Sequence, residues 1–204
     1  MDTPLKFPLI VLATQNAHKL VELRKLFGIP QNLLRAASDY SGAPDVEENG
    51  ATFEENALIK ARAIRDFTGE WAVADDSGLE VDSLQGEPGI FSARYAGVHG
   101  KDADNNRKLL EKMDSLSAPR TAHFTCAMAL VSPAGQEYTV TGLCPGVILR
   151  EGRGQNGFGY DPLFLPDGYA QTFAEMPTEV KCLFSHRAVA AAKMRCIMEY
   201  IFKI

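Results

Sequence analysis

Two adjacent carboxylates, Asp75 and Asp76, follow the apolar run Trp71-Ala72-Val73-Ala74 and precede Ser77 and Gly78. Like charges side by side in an apolar setting repel, so such a pair persists when it is solvated, hydrogen-bonded or shared with a cation. A hard divalent ion such as Mg²⁺ suits it, because that ion takes oxygen ligands and keeps several waters. A solvated Asp-Asp-Ser-Gly turn is the plainer alternative. A second acidic source stands upstream at Asp45, Glu47 and Glu48. It reads either as a solvated charge run or as further metal ligands.

Three other stretches carry groups suited to a phosphorylated, aromatic ligand. Thr14-Gln15-Asn16-Ala17-His18-Lys19 joins a short apolar run to a helical pattern, gathering a hydroxyl, amides, a lysine and the N–H groups of a helix start. Such a start attracts anions through its free donors and its dipole, although ordinary capping by Thr14 or Asn16 would also explain the residues. The glycines of a Walker loop are missing. Gly152 to Pro162 packs four glycines around Phe158 and Tyr160, with Asp161 just before the proline. Glycines let a backbone approach a flat ligand and an aromatic ring can stack on a purine; a loop that buries both rings is the alternative. Lys181 precedes Ser185-His186-Arg187, where cationic residues at a helix start oppose the dipole unless an acceptor-rich partner compensates. Lys60 belongs to the same inventory, as a surface lysine or as one that reaches a phosphate.

These residues need elements to hold them. Leu9 to Ala13 reads as a buried strand, followed by a helix with Leu20, Leu23, Leu26 and Phe27 on one face. Gln31 to Pro44 shows no period and reads as a surface connection. Thr52-Phe53-Glu54-Glu55 fits a capping box, and Ala57, Leu58, Ala61 and Ile64 continue a helix that Gly69 can stop. Trp71 to Ala74 is a short strand, with Asp75 to Gly78 expected as the turn at its carboxyl end, where open α/β sheets bind their ligands. Asp102 to Met113 is helical and Thr121 to Val131 alternates as a strand. Pro133-Ala134-Gly135 turns the chain back into Glu137 to Val140, an antiparallel hairpin that Gly146 to Leu149 can extend. Ser185 caps a last helix. Parallel and antiparallel pairs together predict a mixed α/β sheet flanked by helices.

The bulk composition narrows the class. The chain has 204 residues, 46% of them apolar and 23% charged, enough for one substantial core in a single domain over 1–204. A net charge of −5 gives no general nucleic-acid footprint. Cys126, Cys144, Cys182 and Cys196 form no CxxC pair, which suits reduced thiols in a cytoplasmic protein. The N-terminal apolar stretch, Phe7 to Ala13, is too short for a membrane span.

Five blocks, LATQNAHK, EENGATFEENALIKA, ADDSGLEVDSLQGEPGIFSARYAG, GFGYDPLF and a lysine followed by SHR, stand in this order along nearly the whole chain. In them the chain resembles the inosine triphosphate pyrophosphatase family, in its bacterial dITP/XTP type. The resemblance implies an elongated twisted sheet between two lobes with a substrate cleft between them, a homodimer, and Mg²⁺-dependent hydrolysis of non-standard purine nucleoside triphosphates to monophosphate and pyrophosphate. It implies that Thr14, Gln15, Asn16, Ala17, His18 and Lys19 hold the triphosphate. Glu48 and Asp76 would hold the metal, and Asp76 would take the proton of the attacking water. Ser77 would touch substrate, Phe158, Gly159, Tyr160, Asp161 and Lys181 would shape the nucleotide pocket, and His186 and Arg187 would read the base. Gln15 and His18 depart from the pattern, standing where many members have glycine, and their bulk narrows the turn or adds donors. A nucleotide-binding module that cleaves nothing would need no pairing of Glu48 with Asp76, and a phosphatase removing only the terminal phosphate would release a different product.

Overall fold

A computed structural model of the chain describes residues 7–14, 16–98, 101–114 and 119–203. Its six strands form one mixed sheet in the order β2-β1-β3-β4-β5-β6. Strand β1 (Ile10–Leu12) pairs in parallel with β2 (Leu34–Ala36) and with β3 (Trp71–Val81). Strands β4 (Thr121–Val131) and β5 (Glu137–Ile148) form the hairpin, and β6 (Phe164–Pro166) closes the order antiparallel to β5. Helices α1 (Ala17–Phe27) and α2 (Phe53–Thr68) make the crossovers β1-α1-β2 and β2-α2-β3. These run in opposite directions from β1, so right-handed connections put the two helices on opposite faces of the sheet. Helices α3 (Asp102–Asp114), α4 (Thr178–Phe184) and α5 (His186–Phe202) complete the fold. Among the described residues no helix is long and apolar enough to cross a membrane.

The chain divides into two compact units, 1–76 with 127–142 and 189–204, and 77–126 with 143–188. The division falls inside β3, β4, β5 and α5. In the first unit Val11, Ala13, Ala72, Ala74, Ala129 and Val131 pack on Ala57, Ala61 and Ile64 of α2. Alanines at both surfaces let that helix lie close to the sheet. Its ends follow local chemistry: Thr52 Oγ1 accepts from Glu55 N at 3.1 Å, and Gly69 terminates it at φ 71°. In the second unit Leu79, Val81, Leu109, Met113, Phe124, Ile148, Tyr160, Phe164 and Phe173 are core residues.

Three local expectations are corrected. Asp75 to Gly78 do not turn the chain after Ala74; they lie within the eleven residues of β3. Strand β1 ends at Leu12, beside Val73, but β4 still flanks β3 on its other edge and supports the extended backbone beyond that point. The stretch 31–44, expected as a connection, contains β2, whose three residues are too few to show a period. The hairpin return is also longer than Glu137 to Val140 and runs unbroken to Ile148. Helix α4 carried no sequence signal of its own.

Gly146 pairs with Pro166, and a Cβ on it would lie 2.4 Å from the Leu165 carbonyl oxygen and 2.7 Å from the Phe164 ring. Gly146→Ala must therefore part β5 from β6. A loss of about 1–3 kcal/mol is expected, read as a lower urea midpoint at unchanged slope; an unchanged midpoint would show that β6 yields freely.

Candidate active site

The first unit concentrates charge where β1 ends beside β3. Side chains alternate along β3, so Ala72, Ala74 and Asp76 share the α2 face while Val73 and Asp75 share the other. Asp76 is thereby delivered to Asn56 and Lys60, which are one turn apart on α2 and reach the same carboxylate. Asn56 Nδ2 donates to Asp76 Oδ2 at 3.1 Å, and Lys60 Nζ lies 3.4 Å from Asp76 Oδ1. The same ammonium lies 2.6 Å from Glu48 Oε1. Asn56 Oδ1 also accepts from Gly50 N at 2.8 Å, which ties the Glu47-Glu48-Asn49-Gly50 segment to α2 and holds Glu48 in place. On the other face Asp75, fully buried at its side chain, meets Lys19 Nζ at 3.2 Å. The lysine-bearing turn after Ala13 and the acids after Ala74 are thus neighbours.

The electrostatics follow the geometry. Burial pushes the Asp76 carboxyl above its ordinary value, and Lys60 and Lys19 only partly pull it back. Burial disfavours the Lys60 ammonium, but Asp76, Glu48 and Asp75 outweigh it and the group is held above its ordinary value. Glu48 and Asp76 offer oxygen alone, and a single ammonium touches both, so they converge on a position where a cation is stable. That donor set suits Mg²⁺, which is commonly held by one or two carboxylates with water and phosphate oxygens completing its shell. Among the described residues there is no group of three or more His, Cys, Asp or Glu side chains that could hold a metal.

Helix α1 starts differently from a bare anion site. Asn16 Oδ1 accepts from His18 N at 2.9 Å and from Lys19 N at 3.1 Å, and Thr14 Oγ1 accepts from Asn16 N at 3.2 Å. Capping thus uses the first amides, and the turn presents Lys19 and the exposed Asn16 and His18. Gln15 lies outside the described residues. Ala17 is the first residue of α1.

The second unit gathers the remaining expected residues. Arg187 is fully buried; its Nη2 donates to Ser77 Oγ at 2.9 Å and its Cζ stands 5.8 Å from the Phe158 ring centroid. Lys181, also buried, lies 2.7 Å from Asp161 Oδ2 and 5.1 Å from the centroids of Phe158 and Phe173. Asp161 Oδ2 accepts from Phe158 N at 3.0 Å as well, closing the turn. Gly157 is required there at φ 75°, since a Cβ would sit 2.0 Å from that oxygen. His186 stacks on Phe124 with centroids 4.7 Å apart, while Ser185 Oγ accepts from Ala188 N as the cap of α5. Tyr160 is a core residue whose hydroxyl donates to the Ser92 carbonyl at 2.9 Å; burial holds that phenol well above its usual range. It offers a ligand its backbone, not its ring.

The family model described as the Ham1 family matches residues 10–197. The chain belongs to the Ham1 family. A dITP/XTP pyrophosphatase of Desulforamulus reducens is 46% identical over 194 residues, covering 95% of this chain and 96% of that one. Another from Leifsonia xyli is 50% identical over 184 residues, covering 90% and 92%. Among solved structures, a HAM1 protein from Coxiella burnetii superposes with a TM-score of 0.87 at 39% identity, covering 95% of this chain and all of that one. A nucleoside-triphosphatase, dITP/XTP pyrophosphatase from Mycobacterium abscessus gives 0.74 at 45% identity, over 91% and 97%.

Asn56 is the site residue of this Ham1 member that sequence reasoning missed. Its signal was an amide on the buried side of a helix, next to Ala57 and one turn before Lys60. Asp75, seen only as half of a pair, turns out to serve Lys19. A direct check is the titration of Asp76 in the nucleotide-free protein by carboxyl NMR. Its midpoint should lie above the ordinary 3.8 and rise further in Lys60→Met, which removes the largest opposing influence. Because the folded carboxyl binds its proton more tightly than the unfolded one, stability is gained as pH falls through that midpoint. A midpoint at or below 3.8 would contradict the burial argument.

Proposed function

We propose that this Ham1 member hydrolyses non-standard purine nucleoside triphosphates, ITP, dITP and XTP, to monophosphate and pyrophosphate. The observation that carries the reading is the Lys60 ammonium shared by Glu48 and Asp76, with Lys19 beside Asp75. A module that only held nucleotides would have no use for a buried and a half-buried acid converging on one cation position, and the names of the Desulforamulus and Leifsonia relatives point the same way.

Glu48 and Asp76 would hold Mg²⁺. When bound, the ion neutralises charge on the phosphate oxygens and stabilises the leaving pyrophosphate. Asp76, ionised and oriented beside the metal position, accepts the proton of the water that attacks the α-phosphorus. Lys19 and Lys60 steady the phosphates, and Asn56 holds the Asp76 carboxylate in one orientation. The Phe158 face takes the purine, while Arg187 and Lys181, which carry donors and no acceptors, favour a 6-oxo group. Adenine's 6-amino group would leave those donors facing donors, and a buried polar group without its partner is penalised more than a missing contact gains. His186 supports the same choice from its stack on Phe124. We further propose a homodimer that works on the cytoplasmic nucleotide pool, as the family resemblance suggests.

Incubation with ITP and Mg²⁺ should yield pyrophosphate and IMP; orthophosphate or no product would refute the reading. Asp76→Asn should keep the fold, by circular dichroism and melting, while turnover vanishes. Arg187→Ala should lower the preference for ITP over ATP by about tenfold or more in kcat/KM, and full retention of the preference would remove its role.

A further inference from the structure

Helix α3 looks structural by its pattern, and its apolar side is: Leu109 and Met113 are buried in the second unit's core. Its polar N-terminal half does something else. Asp102 and Asn106 are one turn apart and project from one face. Asp102 Oδ2 accepts from Gly159 N at 2.6 Å, and Asn106 Nδ2 donates to Gly159 O at 3.0 Å. We propose that Asp102 and Asn106 are positioning residues for the base-binding loop, holding both backbone groups of Gly159 and through them the Phe158 ring. This rests on the reading of that loop as the purine pocket.

Packing does not do this job. Gly159 adopts φ 62°, and a Cβ on it would meet nothing within 4 Å, so no neighbour presses the backbone into place. The loop is otherwise held by Tyr160, bonded to the Ser92 carbonyl, and by Asp161, bonded to Phe158 N. Asp161 N also donates to Phe158 O at 3.2 Å, so residues 158–161 form one closed turn, and the two Gly159 contacts tie that turn to α3. An acid in a first helical turn is ordinarily explained by the dipole. Here the carboxylate reaches across 57 positions in sequence to a backbone amide, and a charged acceptor makes that bond stronger than a neutral one. Between the two, Asn105 serves a second loop: its Oδ1 accepts from Ala96 N at 2.7 Å and its Nδ2 donates to Ala93 O at 3.3 Å. One helix end therefore holds two loops, and the Gly159 contacts seat the turn that carries the Phe158 ring.

The clamp acts on binding and not on the reacting phosphorus, so the kinetic constants must separate. Asp102→Ala and Asn106→Ala should each raise KM for ITP about tenfold, leave kcat within about twofold, and narrow the ITP-to-ATP preference. Asp102→Asn, which keeps an acceptor oxygen, should recover most of the KM. Amide exchange across 157–161 should quicken in both alanine variants while α5 stays protected. Unchanged KM with unchanged exchange would overturn the proposal, as would a uniform loss of kcat and melting temperature that Asp102→Asn does not repair. If the unaltered protein fails to turn over ITP, the proposed activity falls, and exchange at 157–161 alone then decides: unchanged protection overturns the clamp, faster exchange upholds it.

Discussion

One ammonium lying between two carboxylates is the constraint around which the first unit is arranged. Asp76 is almost wholly inside the protein, where an uncompensated charge would be expelled or neutralised. Lys60 and Asn56 meet that requirement, and every neighbouring feature serves to bring them there. The Thr52 cap sets where α2 begins, and hence which turn faces β3. The alanines of α2 and β3 set how closely the two approach. Asn56 then extends the arrangement to Gly50 and so to Glu48. Removing Lys60 would take from the buried Asp76 its largest opposing charge, which is the costly way to break such an arrangement.

The second unit solves a related problem with the opposite sign. Lys181 and Arg187 are cations inside an aromatic core. Asp161 compensates one, the Ser77 hydroxyl receives the other, and the Phe158 and Phe173 rings offer both or one of them a π face. Asp161 also fixes the turn that carries Phe158, so the group that neutralises the lysine shapes the aromatic surface beside it. A change at Asp161 would therefore disturb the lysine's charge balance and the Phe158 turn at once.

What could be read from the letters alone was whatever is local. The Thr52 cap, the Gly69 stop and the Ser185 cap rest on neighbours within a few positions and stand as expected; β4 spans the expected residues, but it is buried on both faces from Phe124 to Val131, so its alternation does not separate inside from outside. The strand through Asp75 to Gly78 was not legible, because its extended state depends on β4, some fifty residues away, and turn-forming residues yield to a ladder partner on a central strand. The β2 strand was too short to show a period. In the site, residue types identified the charged groups but not their pairing: nothing in sequence says that Asp75 serves Lys19 while Asp76 serves Lys60. That division comes from the alternation of side chains along β3 and from helices placed on opposite faces. Asn56, Asp102 and Asn106 were passed over for the same reason, since each matters through a contact distant in sequence.

On the proposed function, Asp76 and its surroundings direct water to the α-phosphorus of a nucleoside triphosphate. Hydrolysis of ITP in ¹⁸O-labelled water, followed by mass spectrometry of both products, tests it most directly. The label should appear in the monophosphate, with unlabelled pyrophosphate. Label in pyrophosphate, or in orthophosphate released from the end of the chain, would place the attack elsewhere and contradict the account.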